Sequence, residues 1–377
     1  GDSTAVGRSA LKANTTGDVN VAVGKDALTT NTTGSGNTAI GREALRDNTT
    51  ANYNTAVGIS SLSANNTGSG NSALGQSALK ANTTGANNVA VGTYALTTNN
   101  TGSYNTAFGH SALKSTTTGT HNTAVGLDSL YNNTTGARNV AVGLNASVNS
   151  TTAADNTVVG YAAFGANTTG SNNTASGKDA LSSNTTGGGN TAVGRSAGNT
   201  ITTGSNNVCI GYDTDVSATG NYQYVLGHGI TSGSNTFSFG QGGSVVSNVF
   251  TTNASWSRTS DLRKKTNIES TDLGLSFINE LRPVTFNWKD SSEFPEGFKD
   301  KDTAEMNTEI NLYGMIAQEV KAAMDKVGHE NFGGWSEDDD GSQKLSQEMF
   351  IYPLINAIQE LSTENEALKA RLTAGGL

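Results

Sequence analysis

The chain has 377 residues, 34% of them hydrophobic and 15% charged, and a formal net charge of −9. Its length allows two or three domains, yet so low an apolar fraction cannot build one large conventional core from the whole chain. The acidic balance excludes nucleic-acid binding through general basicity, the lone Cys209 excludes a disulfide framework or a cysteine zinc site, and no apolar run reaches the length of about 18 residues that suits membrane insertion as a helix. An opening Gly1 without Met or a leader is what a processed or truncated form would show.

Charge then divides the chain. Residues 1–250 hold 10 Lys+Arg and 10 Asp+Glu, whereas residues 251–377 hold 13 and 22 and carry the whole net charge. All three Pro and all three Trp also fall after residue 250. Three segments are expected: a repeat rod over 1–211, a β-rich neck over 212–254 and a C-terminal module over 255–377.

The first segment repeats. A glycine closes an Ala-Val-Gly-like triplet thirteen times, from Gly7 to Gly211, at a strict spacing of 17 and with no insertion. The consensus reads N-T-A-V-G-x-x-A-L-x-x-N-T-T-G-x-x. Asn, Thr, Ser and Gly would suit a disordered spacer, but a spacer has no reason to hold Val and Leu at constant phase. Seventeen residues are too few for a helical pair and suit one turn of a β-coil. The T-A-V-G piece is β-prone, and N-T-T-G holds the residues of a turn. Coils stacked at roughly 4.8 Å would form a rod of about 60 Å. Each coil is expected to offer a Val, an Ala and a Leu to the interior, with the recurring Asn forming an amide ladder. So thin a core favours several chains sharing it, most simply as a parallel trimer. The pattern degenerates toward the end, where Val gives way to Ser176, Leu to Ser147, Phe164 and Gly198, and Ala to Cys209. Cys209 is expected to be a small buried hydrophobe.

These N-T-A-V-G repeats resemble the head repeats of trimeric autotransporter adhesins of the YadA type. The resemblance covers about residues 1–211 and implies a homotrimeric parallel β-roll, although the period of 17 is longer than in the type example. The membrane-anchoring barrel of that family has no counterpart in this sequence.

Beyond Phe250 three motifs follow in order: Ser260-Asp261-Leu262-Arg263-Lys264-Lys265-Thr266-Asn267-Ile268, then Tyr313-Gly314-Met315-Ile316-Ala317-Gln318-Glu319-Val320, then Tyr352-Pro353-Leu354-Ile355. Ile351, Leu354, Ile358, Leu361, Asn365, Leu368 and Leu372 step by 3 and 4, the a and d positions of a coiled coil over about 351–373. Asn365 at an a position would fix register or strand number. This set resembles the C-terminal intramolecular chaperone auto-processing domain of phage endosialidases, tailspikes and tail fibres, also found in myelin regulatory factor. The resemblance covers about 255–377 and implies an α+β domain that trimerises, drives folding of the upstream β-structure and cuts itself off before the serine of the S-D motif. It places the scissile bond at Thr259–Ser260 and the catalytic pair at Ser260 and Lys265, with Asp261, Arg263 and Asn267 as supporting motif residues. A serine hydroxyl needs an adjacent base, and a lysine serves only if burial or a neighbouring cation lowers its pKa. Spacing alone favours Lys264, four residues on; the resemblance selects Lys265.

Elsewhere His110, His121, His228 and His329 lack metal-ligand spacing, so no metal or cofactor is expected. Glu337-Asp338-Asp339-Asp340 lacks the pattern of a calcium loop and reads as a solvated acidic loop. The N-T-T triplets match a glycosylation sequon, but turn and ladder roles explain them. Five residues before the repeat glycine the sequence varies, with Tyr53, Tyr104, His121, Arg138 and Asp155. Aromatics there suit contact with a host glycan or surface-protein receptor, and ordinary loop variation is the competing reading.

The sequence therefore predicts a mainly β, homotrimeric fibre: a rod of thirteen coils, a neck and a self-cleaving chaperone ending in a trimeric coiled coil. The expected setting is a phage tail fibre or tailspike in the virion, assembled in the host cytoplasm, joined to other tail proteins upstream and without membrane insertion. The alternatives are a trimeric adhesin on a bacterial cell surface and, third, a glycan-degrading tailspike. Its only expected catalysis is a single self-processing event.

Overall fold

The computed structural model describes residues 2–242, 244–249, 257–258, 262, 265–296, 301, 308–309 and 311–375. It divides into two compact units, Gly1–Ser260 and Asp261–Leu377.

In the first unit the 17-residue period becomes a parallel β-solenoid. Thirteen three-residue strands, β1 (Thr4–Val6) to β13 (Val208–Ile210), recur once per coil. Neighbours pair in parallel with a register shift of one repeat, as in Thr106↔Thr123, Ala107↔Ala124 and Phe108↔Val125. The rest of the coil bonds along the axis too. Leu113 N donates to Ser129 O (3.0 Å), Ser111 N to Thr93 O (3.0 Å) and Thr117 N to Thr134 O (2.9 Å). Backbone groups in the turns are thereby satisfied by the adjacent coils.

The interior differs from the expected Val, Ala and Leu. Ala107, Ala112 and Leu113 are fully buried, and the same three positions are buried in most coils. The Val position faces outward: Phe108 is 57% exposed and Leu74 51%. Alternation explains the arrangement. Successive strand side chains point to opposite faces, so a three-residue strand with its central Ala inside turns both flanking residues out. The backbone packs closely enough to demand glycine at the triplet's end. Gly126 has φ 130°, and a Cβ there would lie 2.5 Å from Gly143 O.

Asparagine forms not one ladder but two, both buried. In the column before the strand, Asn139 N and Nδ2 both donate to Asn122 Oδ1 (3.0 and 3.1 Å), and Asn122 Nδ2 donates to Gly136 O (2.8 Å). Gln223 continues this column, its N–H donating to Asn207 Oδ1 (3.0 Å). In the N-T-T-G column Asn48 Nδ2 donates to Asn31 Oδ1 (2.8 Å). This second ladder fails wherever the next coil lacks Asn. Thr116, Ser150 and Ile201 follow Asn99, Asn133 and Asn184 in it, and the buried Oδ1 atoms of those three asparagines have no hydrogen-bond partner. The Thr116 hydroxyl is likewise unpartnered. Thr116→Asn is expected to stabilise the solenoid by about 1–2 kcal/mol, by giving Asn99 Oδ1 a donor. Urea unfolding followed by circular dichroism would measure this, and no change in midpoint would refute it.

The stacking continues beyond residue 211, although the 17-residue period ends. Strands β14 (Asp215–Val216) and β16 (Thr231–Ser232) pair with each other in the turns, while β15 (Tyr224–His228) and β17 (Thr236–Gln241) extend the main sheet in parallel. The register shifts shorten, with Val208↔Tyr224 followed by Tyr224↔Phe237. Two antiparallel strands, β18 (Ser244–Val249) and β19 (Ser257–Arg258), end the sheet. Cys209 pairs in register with Ala192 and is fully buried in the Ala column. Burial, then the nearby Asp215 carboxylate, push its thiol pKa up to about 12, so it remains protonated and inert at neutral pH.

The second unit is α+β. It contains α1 (Leu275–Ile278), an antiparallel pair β20 (Val284–Phe286) and β21 (Leu312–Gly314), then α2 (Ala317–Lys326). A hairpin, β22 (Trp335–Glu337) and β23 (Gln343–Leu345), precedes the long α3 (Ile351–Ala374). The acidic 337–340 segment is its turn, where Asp340 Oδ1 accepts from the N–H and hydroxyl of Ser342 (3.0 and 2.6 Å). Leu273, Phe277, Val320, Met324 and Phe350 form the core. The rings of Phe277, Phe332 and Phe350 meet at centroid distances of 5.0–6.3 Å.

Candidate functional site

The predicted processing site falls partly outside the described residues: Thr259, Ser260, Asp261 and Arg263 are not among them. Lys265 and Asn267 are. Lys265 N donates to Leu262 O (3.1 Å), which closes a turn just after the S-D motif. Asn267 takes a left-handed conformation, φ 52°, and its Oδ1 accepts from the Thr266 hydroxyl (3.3 Å). Asparagine tolerates that conformation better than most residues. Both side chains are exposed.

The other two motifs build the unit that follows this turn. Tyr313-Gly314 lies in β21 and Ala317-Gln318-Glu319-Val320 opens α2. Val320 enters the core, while Glu319 pairs with Arg282, which holds its carboxyl below the ordinary range through a hydrogen bond. Pro353 sits in the first turn of α3, where a missing N–H costs little, and is buried with Ala357. Asn356 Nδ2 donates to Thr271 O and Leu273 O (both 3.2 Å). Glu360 Oε2 accepts from Leu275 N (2.7 Å), at the start of α1. One face of α3 is thus anchored to its own unit. The heptad face is not: Ile351, Leu354, Ile358, Leu361, Leu368 and Leu372 are all exposed, with Ile358 at 58%.

On the solenoid, Tyr104 and His121 come together as the column predicts, their rings stacked at 4.9 Å. Tyr53 stands apart, three coils away and 75% exposed, with its ring over Gly36 of the preceding coil. Arg138 and Asp155, next in the column, form an ion pair at 2.6 Å. A second column had escaped the sequence reading. Directly after the repeat glycine, Lys178 lies over the Tyr161 ring (5.7 Å), Arg195 over Tyr212 (5.3 Å), and Tyr212 stacks on His228 (4.9 Å). The signal for it was available in the residue one place past each glycine, read down the repeats. Among the described residues no group of three or more His, Cys, Asp or Glu could hold a metal ion. No described helix is long and apolar enough to cross a membrane.

Comparison with known proteins bears on the second unit. Residues 260–329 match the family described as chaperone of endosialidase. The match begins at the serine of the S-D motif and runs through α1, β20, β21 and α2. No curated protein and no solved structure is significantly similar to the chain. A parallel β-solenoid followed by a chaperone-of-endosialidase segment fits a fibre or tailspike type of protein that carries its own chaperone.

Proposed function

We propose that this chain is a receptor-binding segment of a homotrimeric phage tail fibre or tailspike, assembled in the host cytoplasm and carried on the virion tail. Its C-terminal unit trimerises through α3, templates the folding of the solenoid and then releases itself by cutting Thr259–Ser260. The observation that carries this reading is the family match, which opens at Ser260.

The chemistry follows from the residue types. The Ser260 hydroxyl attacks the Thr259 carbonyl carbon, and Lys265, as a neutral amine, takes the hydroxyl proton. That proton passes to the departing Ser260 nitrogen as the peptide bond becomes an ester. Water then hydrolyses the ester, leaving a carboxylate at Thr259 and a free amine and hydroxyl at Ser260. Lys265 is exposed in the single chain, so the proposed reaction depends on the assembled chains packing around it. Cleavage then waits for assembly.

The need for a template comes from the solenoid. Parallel pairing of distant segments must meet the loop-closure entropy before contacts repay it. Near-identical coils also invite register slips of one repeat. An external receptor on a host glycan or surface protein would meet the aromatic columns around Tyr53, Tyr104 and His121. The test is denaturing mass spectrometry of the intact chain beside Ser260→Ala and Lys265→Ala. Wild type is expected as 1–259 plus 260–377, with both variants whole. A folded wild type that stays whole would remove the catalytic half of the proposal.

A further inference from the structure

The outward face of the solenoid sheet has a composition unlike the rest of its surface. Both flanking positions of every strand from β1 to β13 point outward, and none holds a charged residue. The first is Thr, Val or Ser, and the third is Val, Ile, Leu or Phe in every coil except at Ser176. The charges of residues 1–211 lie outside these strands, as at Arg8, Lys25, Asp26, Arg42 and Glu43. The third position thus makes an apolar column broken only at Ser176, and Phe108, Leu74, Val159 and Ile210 in it are each more than a third exposed.

We infer that this face is where copies of the chain pack against one another, side by side, parallel and in register, with the third strand residue at the seam. The inference rests on the homotrimer proposed above and adds which surface of the solenoid joins it. Three observations point to a second copy as the occupant. The column repeats with the coil rise of about 4.8 Å over about 60 Å; a surface that meshes with every rung must share that repeat, and the chain's own solenoid does. A helix, with its pitch of about 5.4 Å, drifts out of phase within a few rungs. The size also suits: thirteen rungs of three residues give a flat face of about 600 Å² before pleating, close to the about 800 Å² per partner of a stable interface. Finally, a face without charged side chains can be covered by a copy without burying an unpaired charge.

The column also carries its own register marks. Leu74, Phe108 and Ser176 depart from Val or Ile at uneven intervals. A slip of one repeat moves each of these out of line with its own copy, so slipped assemblies are not equivalent to the aligned one.

Short bismaleimide cross-linking tests the inference in the full chain carrying Ser260→Ala and Cys209→Ala, which keep it whole and remove its one native thiol. Single cysteines are introduced at Val125 on the column, at Thr135 in a turn off it, and at Leu361 on the exposed face of α3. Cross-linked dimers are expected for Val125→Cys and Leu361→Cys, and none for Thr135→Cys. Dimers at Leu361→Cys alone would overturn the inference and leave the homotrimer standing. No dimers anywhere, with a monomeric native mass, would overturn both.

Discussion

Replacing Gly126 by alanine is expected to destabilise the solenoid by about 3–5 kcal/mol, through backbone strain and overpacking together. Its φ of 130° suits glycine alone, and the new methyl group would meet Gly143 O at 2.5 Å and Gly143 C at 2.7 Å. Both obstacles are backbone atoms of a coil fixed on its other side, so neither can swing away. Gly136 provides the control. A Cβ there would also press on backbone, at Ala153 O. Yet Ala51 and Ala153 hold a methyl group at the same point of their coils and are buried. No positive φ is needed at that position, so a small shift absorbs the methyl and Gly136→Ala should cost about 1 kcal/mol or less. Thermal unfolding of the two variants beside wild type would decide the matter. Equal shifts would mean that close approach, and not φ, sets the cost.

Removing one rung of the inner amide ladder should be nearly as severe. Asn122→Ala takes away the acceptor for Asn139 N and Nδ2 and the donors to Asn105 Oδ1 (3.1 Å) and Gly136 O (2.8 Å). All of this lies in a buried column. Two or three groups left without partners, at about 1–3 kcal/mol each, predict a loss of about 3–6 kcal/mol. Asn122→Asp should be worse than its near-identical shape suggests, because one carboxylate oxygen replaces the donating amide and the buried charge has no cation. The solenoid is quasi-one-dimensional, so the damage should concentrate in the coils around residue 122. Hydrogen exchange of the Asn105, Asn122 and Asn139 coils, compared with coils near residue 200, would show this. Uniform loss of protection along the whole solenoid would contradict it.

Exchange measurements of this kind would also separate the two ladders. The inner ladder runs unbroken from Asn20 to Gln223, whereas the N-T-T-G ladder already lacks Asn at Thr116, Ser150 and Ile201. Among the described residues the chain tolerates unpartnered Oδ1 atoms in the second and shows none in the first. The reason lies in what each Oδ1 holds. In the inner column it accepts from a backbone N–H as well as an amide, as Asn122 does from Asn139, so its loss would orphan main-chain donors next to the strand.

Sequence by itself determined the period, the location of every strand in the first thirteen coils and the existence of an asparagine ladder. Each of these depends on residues recurring at constant phase, which is visible without coordinates. It also led, by resemblance, to the chaperone segment that the family match places at 260–329. Only the tertiary structure decided what faces inward. Hydropathy favours a valine inside, but it does not say which residue of a three-residue strand meets the interior. Here the coil turns the middle residue of each strand inward, as at Ala107 and Val158, so alternation turns the third, Phe108 or Val125, out. Residues 224–226 and 237–239 read as strand-like in the sequence, but that β15 and β17 continue the parallel stack was hidden, because their shortened spacing breaks the period while hydrogen bonding between neighbouring strands survives it. Periodicity belongs to the chain, but the sides of a three-residue strand are assigned by how the coil closes around its middle residue.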